Sequence, residues 1–217
     1  RTGPVRLGFP HMSASKFILI AHRGASAYAP ENTICAFDMA VELGIGHIEL
    51  DVQFSSDGQM VIIHDDDVDR TTDGSGPVAD HTLTELGSLD TGSWFQSTYA
   101  EARIPSLSEV LERYRGRLYF HIAIKAVAEN LSQATADMVR KYGVADNVTI
   151  TSFQKVQLQK IRAYAPELSA GWLLRETNDS TLSHAKEMGL TSICTRADEV
   201  TPELASQLHD MGFTVRA

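Results

Sequence analysis

Apolar positions along the chain follow two periods. Short runs rich in β-branched and aromatic residues occur at 17–22, 47–53, 60–64, 118–125, 148–152, 169–174, 191–196 and 213–217. Each reads as a strand. Between most of them the apolar spacing lengthens to three and four. In 33–43, Ala36, Phe37, Ala40 and Val41 repeat at helical spacing, and Gly44 stops the pattern. Segment 106–115 opens "SLSE", a capping box of Ser106 and Glu109 ahead of a stripe of Leu107, Val110, Leu111 and Tyr114. Leu131, Ala134, Met138, Val139 and Tyr142 mark a helix over 130–142, closed by Gly143. Further helices are predicted over 154–165, ending before Pro166, and over 180–188, ending before Gly189. The last, 201–211, opens on Thr201-Pro202, an N-cap with proline at the first helical position.

Strand–helix alternation implies parallel strands joined by right-handed crossovers. One connection differs. Only "SSDG" separates "HIELDVQF" from "QMVIIHD", too short for a crossover and suited to a hairpin. Antiparallel pairing there would bring His64 back beside Glu49 and Asp51. The next stretch, 66–105, is long, rich in Gly and Thr, and shows little helical pattern. It is expected to form a small inserted cap, with Trp94 and Phe95 either walling a pocket or packing the cap down. Without the hairpin strand, seven parallel strands remain, one short of a (β/α)₈ barrel.

Length and composition narrow the class. A chain of 217 residues can bury one sizeable core. We expect a single barrel domain over 12–217 with an insertion at about 54–105. Residues 1–11 read as a cloning remnant or a disordered tail ahead of Met12. A net charge of −9 disfavours a nucleic-acid surface. It leaves room for a small anionic substrate, which needs only a few local cations or a metal. Cys35 and Cys194 imply no disulfide framework and suggest reduced thiols in a cytoplasmic protein. No apolar run approaches the ~20 residues that span a bilayer, so no integral membrane segment is expected. The apolar run at 17–21 is too short for a signal peptide.

In such barrels, strand ends at the carboxyl face carry the active site. His22-Arg23-Gly24 ends the first strand, Glu49 and Asp51 lie on the second, His64-Asp65 closes the hairpin, and "LYFHIAIK" supplies His121 and Lys125. Glu49 and Asp51 stand two residues apart, so both carboxylates face one way. Such a pair suits a hard divalent cation, or else faces solvent at a strand edge. Their neighbours Ile48, Leu50 and Val52 imply a buried strand, where carboxylates need a partner. His22 and His64 are candidate general acid and base. Arg23 offers a fork for a phosphate, and Lys125 a point charge. His121, deeper in its strand, reads as a core histidine. "APENT", 29–33, reads simply as a helix start.

The stretches "AHRGASAYAPENTICAFDMAVELG", "IELDVQFSSDGQMVIIHD", "DRTTDGSG", "LDTGSWF", "RIPSLSEVL" and "VTITSF" occur in this order from about residue 18 onward. In order and spacing the chain resembles the glycerophosphodiester phosphodiesterase family. The resemblance implies a TIM barrel with a cap after the second strand. It implies that His22 and His64 are the acid–base pair, that Glu49 and Asp51 hold Mg²⁺ or Ca²⁺, and that Arg23 and Lys125 contact the phosphate of a glycerophosphodiester. The family typically reads "IEIK" on the third parallel strand, its glutamate a further metal ligand, whereas this chain reads "IAIK" with Ala123 in that place. The family also continues past "GFTVRA" with a helix and an eighth strand, so an open barrel able to self-associate through its edges is expected. Two alternatives remain: an inactive barrel that binds phosphodiesters, and a related phospholipase-D-like lyase acting on choline phospholipids.

Overall fold

The computed structural model describes residues 17–125 and 128–217; the reading of 1–11 lies outside them. Seven parallel strands form one sheet in the order β1 (Ile20–Ala21), β2 (His47–Phe54), β4 (Tyr119–Ile124), β5 (Val148–Ser152), β6 (Ser169–Leu173), β7 (Ser192–Cys194) and β8 (Thr214–Arg216). The hairpin strand β3 (Met60–Ile62) pairs antiparallel with β2, Val52 opposite Ile62 and Phe54 opposite Met60. Among the described residues β1 and β8 do not pair with each other. The architecture is that of an α/β barrel.

Most elements fall where the periodicity predicts them. The first strand is the exception. Phe17, Ile18 and Leu19 are largely exposed, and pairing starts only at Ile20, opposite His47. An apolar run sets strand propensity, but the register with the neighbouring strand decides where the ladder begins.

Helices α1 (Ile34–Glu42), α3 (Leu107–Tyr114), α4 (Leu131–Tyr142), α5 (Lys155–Tyr164), α6 (Asp179–Glu187) and α7 (Pro202–Asp210) supply the crossovers, and α2 (Leu83–Leu86) is a single turn in the insertion. Their ends are chemically marked. Thr33, Ser106 and Thr201 accept hydrogen bonds from the N–H groups of Ala36, Glu109 and Leu204, satisfying donors that a helix start leaves free. Gly143 closes α4 in the left-handed conformation, φ 66°, which costs glycine little.

Strand alternation divides the core. Ile48, Leu50 and Val52 of β2, Phe120, Ile122 and Ile124 of β4, and Ile150 of β5 bury one face against Phe37, Leu107, Leu111, Val139 and Leu158 of the helices. Each such side chain contributes about 1.5–3 kcal/mol. Phe120 is wholly inaccessible, so Phe120→Ala should cost about 3–5 kcal/mol. The other face of the same strands carries Glu49, Asp51, Gln53, His121 and Thr149, all buried.

The insertion has its own small core. Val68, Val78 and Leu86 pack with Val61, Ile63 and Ile104. Its short helix α2 is held by a reciprocal box of Thr82 and Glu85. Trp94, Phe95 and Tyr99 meet edge to face, and Trp94 Nε1–H donates to the Thr91 carbonyl at 2.8 Å. These rings hold the insertion together. Among the described residues no helix is long and apolar enough to cross a membrane.

Candidate active site

At the carboxyl end of β1 the chain turns sharply. Arg23 and Gly24 both take positive φ, 56° and 77°. A Cβ on Gly24 would lie 2.6 Å from the Ala36 side chain, so only glycine fits so close to α1. For Arg23 the left-handed backbone is strained. It aims the Arg23 N–H at Glu49, donating to Oε2 at 3.0 Å. The same turn places His22 Nε2 3.8 Å from that carboxylate oxygen, with its ring largely exposed. Partial desolvation by the surrounding cluster, which the exposed face of the ring limits, and then the adjacent Arg23 charge, lower the His22 pKa and favour the neutral imidazole.

Glu49 and Asp51 are the buried acids of β2, 7% and 2% exposed. Burial, and then the charge of Asp51, pushes the Glu49 carboxyl well above its usual range. Asn32 holds Asp51: its Nδ2 donates to Oδ2 at 3.0 Å, and its Oδ1 accepts from the Asp51 N–H at 3.4 Å. The Asp51 carboxylate also lies 3.5 Å from Arg23 Nε and 3.8 Å from Lys125 Nζ. Both separations are too long to satisfy it as hydrogen bonds, and among the described residues Arg23 Nε is a buried donor without a partner. Ala123 stands directly beside Asp51 across the β2–β4 ladder, and His121 beside Glu49.

The hairpin returns His64 to the site, as its length predicts. Gln53 Nε2 lies within hydrogen-bond reach of the carbonyls of Ile63, His64 and Asp65 at 3.2, 3.3 and 2.6 Å, fixing the backbone where the strand ends. His64 Nε2 lies 2.9 Å from Lys125 Nζ, and Nδ1 lies 2.6 Å from Asp65 Oδ1. Arg70 Nε donates to the other Asp65 oxygen at 2.5 Å, while its Nη1 and Nη2 donate to Glu31 at 3.1 and 2.7 Å. Glu31 also accepts from Arg23 Nη1 at 2.8 Å. Hydrogen bonds therefore run in one circuit from Lys125 through His64, Asp65, Arg70 and Glu31 to Arg23, and Asp51 meets both ends only at longer ion-pair distances.

All six candidates from the sequence, His22, Arg23, Glu49, Asp51, His64 and Lys125, converge here. Three residues of the site escaped the sequence reading. Glu31 and Asn32 lie in "APENT", where only Thr33 serves the helix start. Arg70 lies in "DRTT". Asn32 carries a signal of its own, a positive φ of 56°, which no sequence pattern displayed. His121 is a core histidine as expected. It is 6% exposed, its Nε2 is 3.2 Å from His47 Nδ1, and burial lowers its pKa to about 2.

Beyond the circuit the carboxyl face opens into a groove of about 480 Å³ lined by Phe153, Leu173, Leu174, Arg175, Cys194, Thr195 and Arg196. The Phe153 ring lies between two cations, 5.7 Å from Lys125 Nζ and 5.7 Å from the Arg175 guanidinium carbon. Cys194 and Cys35 are both free thiols.

Two acids side by side, with incompletely paired cations around them, suit a divalent ion. Among the described residues no group of three or more His, Cys, Asp and Glu side chains is arranged to hold a metal. The donor set is the carboxylate pair alone. Mg²⁺ is commonly bound by one or two carboxylates plus substrate phosphate and water, so the residues present fit such an ion.

A family model described as glycerophosphoryl diester phosphodiesterase family matches residues 22–217. A glycerophosphodiester phosphodiesterase of Caldanaerobacter subterraneus subsp. tengcongensis is 42% identical over 162 residues, covering 73% of this chain and 67% of that protein. The chain spans about two-thirds of the length of the curated relatives it matches, 65%, 67% and 65% of three of them. The crystal structure of a glycerophosphodiester phosphodiesterase from Agrobacterium tumefaciens str. C58 superposes with a TM-score of 0.82 at 32% identity, covering 91% of this chain and 84% of that one. An Oleispira antarctica phosphodiesterase, solved in complex with its product sn-glycerol-3-phosphate, gives 0.85 at 29% identity, covering 91% and 82%.

Proposed function

The chain belongs to the glycerophosphoryl diester phosphodiesterase family, and from this we propose that it hydrolyses glycerophosphodiesters to an alcohol and glycerol 3-phosphate. The observation that carries the reading is the convergence of two imidazoles, two buried carboxylates and two cations at one strand-end cluster. Arg23 and Lys125 would bind the phosphate oxygens, Arg23 through its fork and Lys125 as a point charge. Both now lean toward Asp51 without satisfying it, so an incoming phosphate meets cations already in place.

Glu49 and Asp51 would hold the divalent cation, Mg²⁺ or Ca²⁺. When bound, such an ion neutralises phosphate charge and polarises phosphorus. His22 and His64 divide two proton transfers. One takes the proton of the attacking hydroxyl, from water or from the glycerol beside the phosphate. The other gives a proton to the departing alcohol oxygen as its bond to phosphorus breaks. Attack by glycerol passes through a cyclic phosphate, which water then opens. The groove beside Phe153 and Arg175 would hold the departing alcohol.

The test is release of glycerol 3-phosphate from a panel of glycerophosphodiesters, with Mg²⁺, with Ca²⁺ and with a chelator. Release that needs a divalent cation supports the reading; no release with either ion overturns it. One observation favours a second reading, a barrel that binds phosphodiesters without turning them over. Ala123 offers no oxygen beside Asp51, where the family pattern has a glutamate. Binding of glycerol 3-phosphate without turnover is its signature.

A further inference from the structure

The acid–base reading leaves three charged side chains without a task. Glu31, Asp65 and Arg70 neither face the phosphate position nor belong to the metal pair. They are nevertheless the most tightly bonded charges of the site. Arg70 spends all three of its nitrogens: Nε on Asp65, Nη1 and Nη2 on Glu31. It comes from the insertion, five residues beyond Asp65, and reaches back across the loop to the entry of α1.

The consequence lies at His64. Arg70 holds the Asp65 carboxyl down to about 2, first through its hydrogen bond, with His64 adding to the effect. Asp65 is therefore ionised at neutral pH and can only accept. The His64 nitrogen 2.6 Å away, Nδ1, must donate. On the other side Lys125 has donors alone, so Nε2 accepts from it at 2.9 Å. Both partners require one tautomer, with the proton on Nδ1 and a bare Nε2. Whichever direction His64 moves a proton, it moves at Nε2.

We propose that Arg70 is a positioning residue for His64: anchored on Glu31, it clamps Asp65 from behind, so that the insertion sets the ring's orientation and tautomer. Asp65 alone could turn to solvent, since it is partly exposed. Gripped through both oxygens, one by Arg70 and one by His64, it has a single position. The inference rests on His64 being an acid–base group, and it gives the "DRTT" stretch a physical role. The charged or titratable groups facing His64 are Asp65, Lys125 and, at longer range, His22.

Two readouts test the clamp on the full chain. Long-range ¹H–¹⁵N spectra of the histidines report the His64 tautomer without any need for turnover. Kinetics with Mg²⁺ report its effect on catalysis. The parent should show the Nδ1–H form. Arg70→Gln should mix the tautomers and lower kcat about 10-fold, within the ~10²-fold that a small misplacement can cost, with KM changed less than about twofold. Arg70→Lys, which keeps the charge but not the fork, should recover part of kcat and part of the tautomer preference. It also serves if the Gln variant melts early. Asp65→Asn, whose amide can donate to Nδ1, should favour the opposite tautomer and lose more. Parental spectra and kcat in folded Arg70→Gln would overturn the clamp while leaving the phosphodiesterase reading intact. Full turnover by His64→Ala would overturn the acid–base reading instead, with the tautomer spectra still judging the clamp.

Discussion

Strands β1 and β4 lead into His22-Arg23 and Lys125 and β2 carries Glu49 and Asp51, whereas β5, β6 and β7 lead into Phe153, Leu174 and Thr195 at the groove. On the first side nearly every polar group answers another. Glu49 accepts from the Arg23 backbone, Asn32 grips Asp51, and Arg70 links the insertion to His64 through Asp65. On the second side the groove is lined by an aromatic, two leucines and two arginines, one of them, Arg196, bonded to its neighbour Asp198. Networked charges are costly to misplace and suit chemistry that must be held still. A groove of aromatic and aliphatic walls suits a group that varies. Under the proposed function, the contrast would give phosphate chemistry to the first three parallel strands and choice of alcohol to the next three.

The largest expected effect lies on the charged side. His22→Ala and His64→Ala should each lower kcat by ~10²–10⁴-fold while thermal melts stay near the parent. Near-parental turnover in either variant would remove that histidine from the chemistry.

Ala123→Glu sharpens the contrast by adding charge to the charged side. Position 123 lies beside Asp51 and is almost fully buried. A glutamate there would add a third oxygen donor, and Lys125, on the same face, could pair with it when metal is absent. Because losing even a supporting partner of a metal typically costs ~10–100-fold, Mg²⁺ or Ca²⁺ affinity by calorimetry should rise at least ~10-fold. Unchanged affinity and turnover would make Ala123 a packing residue.

Phe153→Ala tests the other side. Removing a ring flanked by two cations should cost about 1 kcal/mol, seen as a roughly fivefold rise in KM that differs among head groups, with metal affinity untouched. A fall in metal affinity would show that the two sides are not separable.

The smallest effect concerns stability beneath the site. His121 has a folded-state pKa near 2, chiefly because burial disfavours the charged ring, against about 6.5 in an unfolded chain. Its neutral form contributes stability that is present above about 6.5 and lost as pH falls, because the unfolded chain takes up a proton that the folded one refuses. Thermal melts between pH 7.5 and 5.5 should fall, and His121→Gln, which can still pair with His47, should flatten the fall by about 1 kcal/mol. Parallel curves for the two proteins would show that another group sets the acid limit.

Local pattern determined a great deal here. Period-two and period-three-to-four spacing placed the strands and crossover helices, because each element must bury one face and only those spacings put apolar side chains on it. The four-residue "SSDG" link decided that β3 pairs antiparallel, since no crossover fits in it, and so carried His64 to Asp51. The i, i+2 spacing put Glu49 and Asp51 on one face. What the tertiary structure alone decided is who answers those charges. Arg70 lies 39 residues from Glu31 along the chain, and Asn32 lies 19 from Asp51. Nothing local in "APENT" or "DRTT" demands these pairings, and "APENT" by itself satisfies the simpler need of starting a helix. Likewise the exposed run Phe17–Leu19 has the composition of a strand, yet the parallel ladder with β2 begins only at Ile20. Periodicity is a property of a segment, read from the segment. A buried charge is satisfied by whatever the fold brings to it, and only the pairing of β1 with β2 and the docking of the insertion bring Arg70, Glu31 and Asn32 within reach.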